Sequence, residues 1–156
     1  MTTILGGAFK NTPVAYPGSA GDVVVNRFEF SIPASNPIVL ADIFEFASLP
    51  PYCRIVDGYL DVPGPLGATA TFNIGVLTGN AGDTADGSRV ITNQELFVAV
   101  AGATAAPGAI TRLAATQLSA FRLAPDSKER GIGLIFTART VAVSASIALT
   151  LMVATT

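Results

Sequence analysis

Between Tyr52 and Gly82 the sequence reads YCRIVDGYLDVPGPLGATATFNIGVLTGNAG, two runs of alternating residues around a Pro/Gly cluster. A period of two places successive side chains on opposite faces of a pleated strand. On the second run Ala70, Phe72, Ile74 and Val76 share one face, while Thr69, Thr71, Asn73 and Gly75 take the other. On the first, Val56, Leu60 and Val62 alternate with Ile55, Asp57, Tyr59 and Asp61. Pro63, Gly64, Pro65 and Gly67 reverse the chain. The stretch therefore predicts two long strands folded back on each other as a hairpin, and the fold is to be sought among β architectures.

The remaining chain carries the same signal. In DVVVNRFEFSI, residues 22–32, Phe28, Phe30 and Ile32 lie on one face, and Arg27, Glu29 and Ser31 on the other. Residues 38–49 predict a strand in which Leu40, Phe44 and Phe46 line one face, stopped by Pro50 and Pro51. Further strands are expected at 118–124, 131–137 and 144–154. The last is the most apolar segment, but it is shorter than the ~18 residues of a membrane span. Its serines, Ser144 and Ser146, suggest a pleated edge. Thr92–Val100 predicts one short helix: Thr92 can cap it, Glu95 completes a capping box, and Leu96, Phe97 and Val100 form a stripe. Residues 101–109, AGATAAPGA, read as a small-residue loop and 79–88, GNAGDTADGS, as a surface turn.

Gly6, Gly7, Pro13, Pro17, Gly18 and Gly21 make residues 1–21 an extended N-terminal arm with one short strand near Thr3–Lys10. That strand is either the first of the domain or a reach toward a neighbouring subunit. Residues 22–156 form a single domain. About eight strands and one short helix, with no connection long enough for repeated crossover helices, predict an all-β, antiparallel two-sheet β-sandwich, jelly-roll-like. The alternative is an immunoglobulin-like sandwich, which commonly uses fewer strands and buries a tryptophan; this chain has none.

Composition narrows the function more by exclusion than by choice. The chain has 156 residues, enough to bury roughly two-thirds of its unfolded surface. With Cys53 its single cysteine, it cannot form an intrachain disulfide. Histidine is absent, which removes the usual general base and the commonest metal ligand. Cys53 reads as a small buried hydrophobe, because Arg54 beside it in a strand points the other way. Asp57 and Asp61 share a strand face but stand about 13 Å apart, too far to act as a glycosidase pair. Asn80, Asp83 and Asp86 do not follow the spacing of a calcium loop, and GIG at 131–133 lacks the rest of a dinucleotide fingerprint. No enzyme activity, cofactor or metal is expected. The seven arginines and two lysines are dispersed, so no nucleic-acid surface is expected, nor a membrane span or secretory signal. Charged residues are only 13% of the chain, against about 25% in ordinary domains. Either alanine and threonine cover a plain surface, or neighbouring molecules cover it.

The stretch LPPYCRIVDGYLDVPGPLGATATFNIGVLTGNAGD resembles a segment of small structural proteins of tailed bacteriophage virions. The matching positions are Leu49, Pro50, Cys53, Val56, Asp57, Gly75, Leu77, Gly79, Gly82 and Asp83, and ADIFEFASLP before them fits the same pattern. The PGPLG turn departs from the polar reversal usual there. The resemblance implies a virion structural protein that decorates or cements the capsid, made in the host bacterial cytoplasm and placed on the capsid surface. Its partners would be the major capsid protein and further copies of itself, a homotrimer being favoured. Contacts would come from the arm and the two loops, with Ile4, Leu5, Phe9, Tyr16, Asn80, Asp83, Asp86, Ala103, Thr104 and Pro107 as candidate interface residues. The alternatives are another virion part (tail, head-completion or major shell subunit) or a carbohydrate-binding module, against which the lack of tryptophan counts.

Overall fold

A computed structural model describes residues 3–5, 14–19, 21–32, 40, 42–62, 70–85, 89–91, 95–101, 109–112, 123–138 and 145–155. These contain nine strands: β1 (Thr3–Leu5), β2 (Val23–Ile32), β3 (Ile43–Leu49), β4 (Cys53–Val62), β5 (Thr71–Val76), β6 (Glu95–Ala101), β7 (Ala109–Arg112), β8 (Arg130–Ala138) and β9 (Ala145–Thr155). They form a five-stranded sheet in the order β1-β3-β8-β5-β6 and a four-stranded sheet in the order β2-β9-β4-β7. Every pairing is antiparallel except β1 with β3.

The apolar faces of the two sheets enclose the core. Phe28 and Phe30 of β2, Ile55 and Leu60 of β4, and Leu149, Leu151 and Val153 of β9 come from one side; Phe44, Phe46, Phe72, Ile74, Ile132, Leu134 and Phe136 come from the other. Phe30 joins the layers, its ring 5.2 Å from that of Phe44 and 6.0 Å from that of Phe46. Fully burying one such side chain is worth about 1.5–3 kcal/mol.

Several expectations are corrected. The two strands of the anchoring stretch do not pair: β4 lies in the four-stranded sheet and β5 in the five-stranded one. Both carry a strong apolar face, and two such faces are buried by opposing one another across a core as well as by lying side by side. The phase of β4 also changes along its length, with Cys53 and Ile55 buried before a bulge between Ile55 and Asp57, and Leu60 buried after it. Val56, expected to face inward with Leu60, is exposed at that bulge.

The expected helix at 92–100 is strand β6 where it is described, paired with β5 through Thr71↔Ala101, Phe72↔Val100 and Ile74↔Phe97. Three residues of β5 oppose four of β6, and Ala99 takes up the extra residue in the left-handed region, at φ 51°. The Asn73 side-chain oxygen accepts from the Ala99 amide at 2.8 Å. Local capping signals lose here to pairing with a strand whose own neighbours are already in place. β9 is no edge: it lies between β2 and β4 and is buried on both faces from Ile147 to Leu151. β3 begins at Ile43, and Leu40 before it is exposed. The strand expected at 118–124 lies outside the described residues except for Leu123 and Ala124, which belong to no strand. β7 was not anticipated; Ala109 opens it where a loop was expected to close.

Candidate assembly interface

Residues 77–85 and 89–91 pack on the outer face of the five-stranded sheet, and Thr78 and Val90 are stitched together. Thr78 N–H donates to Val90 O at 3.0 Å, and Val90 N–H donates to the Thr78 hydroxyl at 3.0 Å. Leu77 and Ile91 pack with Ile43 in a second apolar cluster, against which Ile135 rests. Small residues on β8 make this close approach possible. A Cβ on Gly133 would stand 2.8 Å from a Leu77 methyl, and one on Gly131 would stand 2.8 Å from Arg89 Nη2 and collide with the Glu45 carboxylate. The GIG triplet is thus a packing device.

Beneath this loop lies a fully buried ion pair, with Glu45 and Arg89 side chains both at 0% exposure. Arg89 Nη1 donates to Glu45 Oε2 at 2.6 Å and Nη2 to Oε1 at 3.1 Å, a two-pronged contact suited to the planar guanidinium. The same side chain reaches the loop backbone twice, Nε donating to Thr78 O and Nη1 to Asp83 O, each at 3.0 Å. Glu45 Oε1 also accepts from Gly82 N–H at 3.0 Å. The two charges are therefore desolvated but well partnered. Neither residue was singled out by sequence. The available signal was a glutamate inside the apolar run IFEFASL, facing a β8 segment with glycine at alternate positions.

The expected interface residues do not converge in one place. Asn80 is exposed on the clamped loop, and Asp83 is half-buried there with its side chain accepting from Ala85 N–H at 2.9 Å. Tyr16 is exposed in the 14–19 segment, whose Ala15 backbone exchanges two hydrogen bonds with the Asn26 side chain, at 2.9 and 3.2 Å. Ile4 and Leu5 sit in β1, opposite Phe44 and Glu45 of β3. Phe9, Asp86, Ala103, Thr104 and Pro107 lie outside the described residues.

The outer face of the four-stranded sheet mixes charged and apolar residues, with Arg27, Glu29 and Arg54 exposed on it. Val23 and Val25 of β2 and Val56 of β4 are exposed, and between these strands β9 places the half-buried Met152 beside the buried Thr150 and Ala154. Farther along, Arg27 and Asp61 bridge across β9 at 3.2 Å, an exposed pair worth little to stability. Cys53 is buried, and burial pushes its thiol pKa up, away from the reactive thiolate. Burial lowers the pKa of Arg130, with the Asp126 carboxylate opposing. Among the described residues no group of three or more His, Cys, Asp or Glu could hold a metal ion, and no helix is long and apolar enough to cross a membrane.

No protein-family model matches the chain, and no curated protein does. Solved structures do. A chain of the capsid of Ralstonia phage GP4 is 29% identical and superposes with a TM-score of 0.81, over 99% of this chain and 98% of its own length. The chain resembles phage virion structural proteins. A chain of the cyanophage Pam1 capsid asymmetric unit shares the fold, with a TM-score of 0.59 at 16% identity over 94% of this chain and 96% of its own. The likeness spans the whole sandwich, well beyond the 41–83 stretch on which the sequence resemblance rests, and supports a structural role in a virion.

Proposed function

We propose that this chain is a non-enzymatic decoration or cement protein of a phage capsid, a homotrimer seated on the outer surface of a shell built by a separate major capsid protein. The observation that carries this reading is the near full-length likeness to a chain of the Ralstonia phage GP4 capsid. Two features favour decoration over other virion roles. Charged residues are scarce, and the exposed side chains of Val23, Val25 and Val56 suit a surface that neighbours cover. The described strands form two stacked sheets around one main core, and a small module of this kind gains shell affinity through repeated contacts from an oligomer.

We assign the sandwich to the jelly-roll class. Leaving aside β1, the partners are β2 with β9, β3 with β8, β4 with β7 and β5 with β6, the nested order of one long hairpin wound into two sheets. In this reading residues 1–21 serve as an arm, and the arm together with the 79–88 and 101–109 loops meets the shell or a neighbouring copy.

The test is addition of the purified protein to capsids assembled from the parent phage's major capsid protein alone. Saturable binding at many equivalent outer sites is expected. Capsids that cannot form without this chain, because it builds the continuous shell, would overturn the decoration reading in favour of a shell subunit.

A further inference from the structure

The Glu45–Arg89 pair is costly as a source of stability. Two charges taken from water are repaid only by good geometry, and an apolar pair of similar volume commonly does as well or better. What the pair supplies is a single arrangement of the chain above it. Four hydrogen bonds from Arg89 join β3 to the loop at Thr78 and Asp83, and Glu45 adds a fifth at Gly82. The spanned segment, with Gly79, Asn80, Gly82, Asp83 and Thr84, has little apolar bulk to pack itself. Gly79 and Gly82 adopt φ of 78° and 75°, conformations open chiefly to glycine, so the loop would sample many shapes without the clamp. Its rim, formed by Gly79, Asn80, Thr84 and Ala85, is exposed.

We propose that Glu45 and Arg89 act as a buried clamp that preorganises the 78–85 segment, and that the segment so held is a docking element for the capsid shell. This rests on the decoration reading. Neither charged residue touches the shell; both are positioning residues, buried beneath the contact. A loop already held in its bound shape avoids the ordering cost of association, and small uncharged rim residues allow a neighbouring backbone to come close.

The test uses the full chain and capsids assembled from the major capsid protein alone. In the double variant Glu45→Met with Arg89→Met no charge is left orphaned, so the sandwich is retained. The Gly82 amide, which loses its acceptor, is expected to exchange at least ~10-fold faster, and affinity for the capsids is expected to fall at least ~10-fold. A second variant, Asn80→Arg with Thr84→Arg, leaves the clamp intact and is expected to weaken capsid binding while Gly82 exchange stays at the wild-type rate. Unchanged Gly82 exchange in the first variant would overturn the clamp, and unchanged binding in the second would overturn the docking role. Failure of the wild-type protein to bind the capsids would instead remove the decoration reading itself, leaving the exchange result to judge the clamp alone.

Discussion

Glu45 and Arg89 are each tolerable inside the protein only because the other is there. Removing one partner, as in Arg89→Ala, leaves a carboxylate desolvated at 0% exposure and is expected to cost about 3–5 kcal/mol, read from the urea midpoint. Gly131→Ala attacks the same place sterically, since its Cβ would collide with the Glu45 carboxylate; about 1–3 kcal/mol of destabilisation is expected. Cys53 tests burial in a different way. Its thiol should react with a disulfide reagent only at the rate of unfolding, because burial holds it neutral. Its raised folded-state pKa favours the protonated form, so this contribution is whole below the unfolded thiol pKa of about 8.5 and is lost as pH rises through the folded value. Cys53→Ala should therefore show a shallower loss of stability on the alkaline side than the wild type, measured by urea titration across pH.

Among the elements, β6 shows most clearly where local signals and tertiary structure part. Ala99, at φ 51°, sits in a conformation that costs an L-residue about 1–2 kcal/mol. Ala99→Gly is expected to raise stability by up to about 1 kcal/mol, whereas Asn73→Ala, which removes the acceptor of the Ala99 amide, should lower it by about 1 kcal/mol. Both are read from thermal melts. Period-two patterning made β2 and β5 legible residue by residue: Phe28 and Phe30, then Phe72, Ile74 and Val76, are buried as the alternation demands. It could not tell which strands pair, because a run with one apolar face satisfies that pattern equally by pairing with a neighbour or by facing it across a core. Hence β4 and β5 read as a hairpin and stand in different sheets. Bulges at Val56 and Ala99 broke the phase and hid the inner face of β4 and the strand character of β6. The clamp was illegible for another reason: Glu45 and Arg89 are 44 residues apart, and their meeting depends on a loop crossing the sheet.

For the molecule as a whole, two sheets closed on an aromatic and aliphatic core hold the shape, and in the proposed role the loops and the arm make the contacts. This division fits a module used in many copies, in which the fold holds shape and weak contacts add up across a particle. A homotrimer is expected, and sedimentation should give three times the mass of one chain. The most direct measurement is a cryo-EM reconstruction of the purified parent phage. The sandwich is expected in hundreds of copies on the outer surface of the capsid, over a continuous shell of another protein, with the 78–85 segment turned toward that shell. Density that places this chain within the continuous shell, or only in the tail, would contradict it.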